Sequence, residues 1–208
     1  MDIFKLISPV VRCSYCGKGT YNDKFLCEKC QSDLEKLERN VSIEGTLVKG
    51  HIIYEYNGIV KDLIIRYKYK QQRYLGKYFA ELMYDFVDDI PVDFDVIIPV
   101  PSHWKRKFER GFNQTEIIAK QLGNLSGITY DNKILKRIDN SKALKRLNRT
   151  EREEELENSF IADRNKQYKT ALLVDDIYTT GTTINYCGKE LYEIGFDQVV
   201  FLSLSGNY

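Results

Sequence analysis

The chain has 208 residues, which is room for one ordinary α/β domain and a small appended module. Hydrophobic residues make up 43% of it and aromatic residues 12%, enough to fill a core, and this composition excludes an intrinsically disordered chain. The 31 Lys and Arg residues and 30 Asp and Glu residues leave a net charge of +1. The overall charge therefore gives no sign of nucleic-acid or membrane binding, and any basic surface must be local.

The N-terminal sequence, MDIFKLISPVV, lacks the basic flank, long apolar stretch and small-residue cleavage site of a secretory signal. No run of apolar residues approaches the roughly 18 that a membrane span requires. We therefore expect a cytoplasmic protein with no integral membrane segment.

Residues 1–45 are predicted to form a separate four-cysteine module, and residues 46–208 the main domain. Cys13 and Cys16 form one closely spaced pair, and Cys27 and Cys30 form another. Four thiolates with this spacing suit tetrahedral Zn²⁺ and leave no open coordination position, so the metal is expected to be structural. Two disulfides or an iron–sulfur cluster are the alternatives. The following segment, residues 31–40, is predicted to be a short charged helix.

The main domain is predicted to alternate strands and helices. Strands are expected at 47–56, 95–100, 171–174 and 198–204, and helices at 59–70, 75–90, 113–123 and 183–194, with a basic loop over 136–152. This order indicates a parallel sheet with helices on both faces.

Tyrosines and cations interleave along residues 54–84. They are Tyr56, Tyr67, Tyr69, Tyr74 and Tyr78, with Lys61, Arg66, Lys68, Lys70, Arg73 and Lys77. Such a composition suits stacking on single-stranded bases beside phosphate contacts. The same spacing also fits ordinary amphipathic helices whose cations extend to solvent, which is the interpretation we favour.

A basic loop follows the predicted strand at 95–100. It contains Ser102 and His103 and then the cations of 105–107, and Arg110 lies a little further along. An anionic pyrophosphate would suit this edge of the sheet, with Ser102, His103, Arg106 and Arg110 as candidate ligands. A solvated basic loop is the alternative.

The segment ALLVDDIYTTGTT, residues 171–183, places an apolar strand, two carboxylates and a Thr/Gly-rich turn in succession before a helix. Ligands of open α/β sheets bind at such strand ends, and the turn and the helix N-terminus suit a phosphate. Asp175 and Asp176 offer acceptors for the vicinal hydroxyls of a sugar or for a metal-bound water. Together these features indicate a ribose 5-phosphate.

This segment resembles the phosphoribosyl diphosphate (PRPP) loop of type I phosphoribosyltransferases. The resemblance implies that Asp175 and Asp176 hold the ribose hydroxyls, and that the 5-phosphate is cradled by Thr179, Thr180, Gly181, Thr182 and Thr183. It also implies a Rossmann-like, phosphoribosyltransferase-like parallel-sheet domain, and Mg²⁺ bound with the pyrophosphate.

Further motifs extend the resemblance over nearly the whole chain. The segment RGFNQ at 110–114, the cysteine module and the Tyr-Lys-Tyr segment at 67–69 resemble the competence protein F (ComF) family. That family implies uptake of transforming DNA, binding of single-stranded DNA, and a helicase-like ATPase as partner. The sequence departs from the family pattern at Leu144 and Glu155, so no role is carried over to that loop.

Two other functions stay open at this stage. One is an active phosphoribosyltransferase that acts on a base or amide, because a type I site would displace pyrophosphate at ribose C1. The other is a regulatory protein that keeps the loop only to sense a ligand. No residue identifies a pocket for a nucleophile, so catalytic residues are left unassigned.

Overall fold

The computed structural model describes residues 11–20, 24–34, 36–42, 48–103, 105, 108–109, 111–138, 159–165 and 168–207. The predicted ligands Arg106 and Arg110, the departures at Leu144 and Glu155, and most of the predicted basic loop at 136–152 lie outside these residues. In chain order the elements are β1 (Val11–Arg12), β2 (Gly19–Thr20), α1 (Glu28–Ser32), β3 (Lys36–Ser42), β4 (Lys49–Glu55), α2 (Gly58–Tyr69), α3 (Leu75–Val87), β5 (Val96–Pro99), α4 (Gln114–Ser126), β6 (Thr129–Tyr130), β7 (Leu135–Arg137), β8 (Phe160–Ala162), β9 (Thr170–Tyr178), α5 (Thr182–Glu193) and β10 (Gln198–Gly206).

One mostly parallel sheet organises the main domain. Its strand order is β3-β4-β10-β9-β5-β6, and every pairing from β4 to β6 is parallel. Only β3, at the edge, runs antiparallel to its neighbour β4. Parallel strands need crossover connections, and the helices between them supply these. The predicted α/β class with a parallel sheet is confirmed.

The sheet is covered on both faces, as predicted. Successive residues of a strand point to opposite faces, and β9 shows this clearly. Leu172 and Val174 pack in an apolar cluster with α2, α3 and α4, whereas Ala171 and Leu173 pack in a second cluster with α5. Burial on both faces explains why the central strands are nearly continuous apolar runs.

The segment at 31–40 differs from its prediction as a helix. The helix α1 begins earlier, at Glu28, and ends at Ser32, and residues 36–42 then form the edge strand β3. Leu, Glu, Lys and Arg are good helix formers, but propensities are small compared with tertiary interactions, so pairing with β4 outweighs them here. The basic segment at 136–152 also begins differently, because Lys136 and Arg137 belong to strand β7.

The cysteine module packs against α2 and α3. Leu26 and Cys30 lie in the same apolar cluster as these helices. Arg66 of α2 donates to the backbone oxygens of Ser14, at 2.5 Å, and Tyr15, at 3.2 Å. A domain boundary near residue 45 stays a prediction.

Candidate functional site

The carboxyl ends of β5 and β9 meet at one edge of the sheet, where Pro99 pairs with Val174. A cavity of about 450 Å³ opens there. Its lining residues are Tyr56, Ile65, Lys68, Tyr69, Val100, Pro101, Ser102, Asn113, Gln114, Thr115, Arg137, Asp175, Asp176, Ile177, Thr179 and Thr183. Open parallel sheets bind ligands at this position, and the predicted acids and threonine turn lie here.

The two predicted carboxylates are held in different ways. Asp175 Oδ1 accepts the backbone N–H of Asp176 at 2.8 Å, a contact within the strand itself. Asp176 Oδ1 lies 2.8 Å from Nζ of Lys68, and the two side chains are only 11% and 14% exposed. Asp176 points to the face of the sheet that α2 covers, because it lies two residues after Val174, which packs on that face. One acid is therefore fixed by backbone and the other by a cation from a distant helix.

The threonine-rich turn lies directly beside the acids. Gly181 has φ 74°, a left-handed conformation that a residue with a Cβ adopts at a cost, and it immediately precedes α5. Thr179, Gly181 and Thr183 line a small hollow of about 40 Å³ together with Asp175. Thr180 and Thr182 hydrogen-bond to each other through their Oγ1 atoms at 2.8 Å. The turn therefore presents hydroxyls at the N-terminus of a 12-residue helix, where the dipole favours an anion.

The loop after β5 reaches the same cavity. Ser102 lines it, and its Oγ is buried without a hydrogen bond to any residue that the structure describes. Buried polar atoms in native proteins normally have partners, so a ligand oxygen or a water would suit Ser102. His103 uses Nδ1 to accept the backbone N–H of Lys105 at 3.2 Å within the loop. Of the four candidate pyrophosphate ligands, the structure therefore brings Ser102 into the cavity.

Several lining residues were missed by the sequence analysis. Lys68 and Arg137 bring positive charge to the cavity from opposite faces of the sheet, and Asn113 and Gln114 line it from the start of α4. Thr115 fixes this helix start, because its Oγ1 donates to the backbone oxygen of Val100 at 2.7 Å. Asn113 and Gln114 could have been found, since they belong to the RGFNQ segment that follows β5. Lys68 is the central residue of the Tyr-Lys-Tyr segment, but nothing in that segment indicates a contact with Asp176.

The four cysteines converge as predicted. Their Sγ atoms all lie within 4.8 Å of one another. Cys16 and Cys27 are 3.7 Å apart, far longer than a disulfide bond of about 2.0 Å. A tetrahedron with Zn–S bonds of about 2.3 Å has edges of about 3.8 Å, so the cluster has the size of a metal site. It can hold a metal such as zinc.

Electrostatics within the cluster suit metal binding. Burial raises the pKa of the Cys13 thiol, but backbone N–H groups of Cys16, Cys27 and Tyr15 and the Cys16 side chain outweigh it and lower that pKa to about 6. Burial and the neighbouring thiols raise the pKa of Cys30 instead. Backbone N–H groups thus stabilise a thiolate, the form in which cysteine binds metals.

The tyrosines of residues 54–84 divide into two groups. Tyr67 and Tyr78 are buried, which confirms the packing interpretation for them, and Tyr78 donates to Gln31 Oε1 at 2.9 Å. Tyr69 and Tyr74, in contrast, are 64% and 49% exposed. They flank the connection between α2 and α3, in which Gln71 has the left-handed φ of 57°. Of these two partly exposed rings, Tyr69 lines the cavity, whereas one side of Tyr74 stacks on Phe25 with the centroids 6.3 Å apart.

A third exposed ring, Phe108, lies nearby in the chain's basic loop and is 83% exposed. The connection between α2 and α3 lies against the segment after β5, because Arg73 donates to the oxygen of Gly111 at 3.4 Å. Its guanidinium carbon also lies over the ring of Phe112, 4.7 Å from the centroid.

Among the described residues, no helix is long and apolar enough to cross a membrane.

Comparisons with known proteins identify relatives along nearly the whole chain. No family model matches. Competence protein ComFC of Streptococcus pneumoniae is 33% identical, over 92% of this chain and 79% of that protein. Competence protein F of Haemophilus influenzae is 28% identical, over 94% of this chain and 84% of its own length.

A solved structure of glutamine phosphoribosylpyrophosphate amidotransferase from Bacillus subtilis, in complex with ADP and GMP, is also similar. It is 20% identical with a TM-score of 0.41, and the match covers 64% of this chain but only 26% of the amidotransferase. At so low a TM-score, this likeness supports no argument about the site.

Proposed function

This chain belongs to the ComF family of competence proteins, and from that premise we propose that it aids the uptake of transforming DNA. In this proposal the cavity binds a PRPP-type ligand, and a nearby surface binds single-stranded DNA. The DNA-uptake part of the proposal rests on the names of the relatives. The two proposed binding sites rest on the residues of this chain.

The observation that carries the ligand proposal is the convergence of two carboxylates and a threonine turn in one cavity. Asp175 and Asp176 offer oxygens for vicinal hydroxyls, and Thr179 and Thr183 lie beside them at a helix N-terminus, where an anion is favoured. A sugar phosphate has both groups. In the proposal the acids bind the ribose hydroxyls and the turn 179–183 binds the 5-phosphate.

Two metals belong to this proposal. The four-cysteine cluster holds Zn²⁺, with all four positions taken by protein, so the ion acts structurally. Mg²⁺ enters with the ligand, since this ion binds diphosphate oxygens and few protein groups. Ser102 and the cations of the same loop face that diphosphate in the proposal.

The proposed DNA surface is the exposed connection between α2 and α3, defined by Tyr69, Lys70, Arg73 and Tyr74. Exposed rings beside cations suit single-stranded DNA, because bases stack on the rings while the cations pair with phosphates. Phe108 extends the same surface. A helicase-like ATPase of the uptake machinery is the proposed protein partner.

The ligand proposal is tested by calorimetric titration of PRPP and Mg²⁺ into the zinc-loaded protein. We expect saturable binding that the Asp175→Asn/Asp176→Asn variant loses. The matched control is Asp88→Asn/Asp89→Asn, which neutralises another adjacent acid pair that is exposed beyond the end of α3. Equal binding by the wild type and the first variant would contradict the assignment of the acids. Pyrophosphate release that depends on an added base would instead support an active transferase.

The DNA proposal is tested by fluorescence anisotropy with a labelled single-stranded oligonucleotide. Replacing both rings, as Tyr69→Leu/Tyr74→Leu, should weaken binding at least about tenfold, because each stacked base contributes about 1–3 kcal/mol. Tyr69→Phe/Tyr74→Phe keeps the rings and should bind like the wild type. Affinity should also fall steeply with salt, since phosphate contacts release counterions. Equal binding by the Leu and Phe variants would exclude stacking on these rings.

A further inference from the structure

Lys68 contacts Asp176, one of the two proposed sugar-binding acids, and it belongs to helix α2. Two residues before Lys68, Arg66 donates to the oxygen of Ser14 in the cysteine module. Directly before Lys68, the buried hydroxyl of Tyr67 donates to the backbone oxygen of Gln114 at 2.8 Å. The two residues that precede Lys68 are thus fixed to other parts of the protein, which sets the position of α2 relative to the cavity.

The contact itself is a charge-assisted hydrogen bond in a desolvated place. Lys68 Nζ lies 2.8 Å from Asp176 Oδ1, and both side chains are mostly buried yet line the cavity. Removing two charges from water costs several kcal/mol per ion, so such a pair is weak support for a purely stabilising role. Its place in the wall of the cavity indicates a role in ligand binding.

The two acids differ in what fixes them. The carboxylate of Asp175 accepts a backbone N–H, and this contact persists whatever the surrounding side chains are. The carboxylate of Asp176 is oriented by the side chain of Lys68. A carboxylate has two oxygens, and a cation on one of them orients the group so that the other can accept a hydroxyl.

We propose that Lys68 is a positioning residue for the sugar: it orients the carboxylate of Asp176 so that Oδ2 accepts a ribose hydroxyl. The proposal rests on the proposed function of the cavity. It assigns Lys68 an action through Asp176 and not a direct contact with the phosphates. Binding of PRPP should therefore depend on Lys68 only while Asp176 is present.

The test is a double-mutant cycle, measured by calorimetric titration of PRPP and Mg²⁺ into the zinc-loaded full chain. Lys68→Met should weaken binding about tenfold to a hundredfold, the range for a hydrogen bond to a charged group. Lys68→Arg should restore most of the loss. In an Asp176→Asn background, Lys68→Met should have no further effect, because the group through which it acts is gone.

Lys120→Met is the matched control, since it removes an exposed lysine from α4. Circular dichroism and the melting temperature establish that each variant is folded. Undiminished binding by Lys68→Met would overturn the inference. So would an equal loss in the Asp176→Asn background, which would place Lys68 on the ligand itself. A folded wild-type protein that binds no PRPP would refute the proposed function, whereas the other two outcomes refute the inference alone.

Discussion

The hydroxyl of Tyr67 joins two walls of the cavity, because it donates from α2 to the backbone oxygen of Gln114 at the start of α4. Burial raises the pKa of this phenol, so it stays a donor at every physiological pH. Tyr67→Phe should lower the free energy of unfolding by about 1 kcal/mol, since one buried hydrogen bond is lost. Urea denaturation measures this. Tyr74→Phe is the control, because its hydroxyl is exposed, and a change under about 0.5 kcal/mol is expected there. Equal losses would contradict a specific role for the buried bond.

Asp95 fixes the start of β5 to the start of β9. Its Oδ2 accepts the backbone N–H groups of Thr170, at 2.9 Å, and Lys169, at 2.7 Å, and these bonds lower the pKa of the carboxyl below its usual range. The carboxylate therefore contributes stability above a pH of about 4, and this contribution is lost as the pH falls through the folded-state pKa. The stability difference between the wild type and Asp95→Ala should be largest near neutrality and should shrink below pH about 4. Urea titrations at a series of pH values test this, and a difference that is independent of pH would contradict it.

At the scale of elements, α5 packs closely on Val48, the residue directly before β4. A Cβ on Gly188 would lie 2.2 Å from Val48 Cγ2, a distance that real contacts do not reach. Gly188→Ala should gain about 1 kcal/mol of helix propensity and lose about 1–3 kcal/mol to overpacking. We expect a net loss, measured by denaturant unfolding. Lys189→Ala, on the exposed side of the same helix, should change stability by less than about 0.5 kcal/mol.

A second variant keeps this prediction specific. Val48→Ala removes the methyl groups that the new Cβ would meet, so the losses of the single variants should not add in Gly188→Ala/Val48→Ala. Strict additivity would mean that the cost of Gly188→Ala arises elsewhere. A Gly188→Ala protein as stable as the wild type would mean that α5 moves away from the sheet at little cost.

The elements themselves were predictable where periodicity was strong. The helices at 58–69 and 75–87 and the central strands follow directly from apolar spacing. The strand before the threonine turn was predicted to end at residue 174, but β9 continues to Tyr178. It continues because its pairing with β10 extends through Asp175, opposite Ser203, to Tyr178, opposite Gly206. Backbone pairing does not require apolar side chains. Edge strand β3 was missed for the same reason.

The site was predictable only where its residues are neighbours in the chain. Asp175, Asp176 and the turn 179–183 form one continuous motif, so their convergence needs no knowledge of the fold. Lys68 contacts Asp176 across 108 residues of sequence. Such a pair depends on how α2 packs on the sheet, which no local pattern encodes. Asn113 and Gln114 are intermediate in predictability, since their position at the start of α4 follows from β5 and the short connection after it.

At the scale of the whole molecule, the four-cysteine cluster and the main domain share one apolar core. Cys13, Leu26 and Cys30 lie in the same cluster as α2 and α3. The ring of Phe25 also packs against Tyr78 of α3, with centroids 5.1 Å apart. Loss of the metal should therefore destabilise the helices that line the cavity, and the module and the main domain should unfold together.

Removal of the metal tests this coupling. A metal present at about 1,000 times its Kd stabilises the folded chain by about 4 kcal/mol. In a chain of this size, each kcal/mol of stability changes the Tm by about 2–4 °C, so a strong chelator should lower the Tm by roughly 10 °C. Differential scanning calorimetry should show one transition that moves as a unit. Cys16→Ser should lack bound zinc and melt like the chelated protein. Cys187→Ala, which changes a buried cysteine within α5, should retain one zinc per chain and its response to the chelator. A separate low-temperature transition, with the main one unmoved, would mean that the module is an independent domain and that Arg66, Phe25 and Tyr78 contribute little to the cavity's stability.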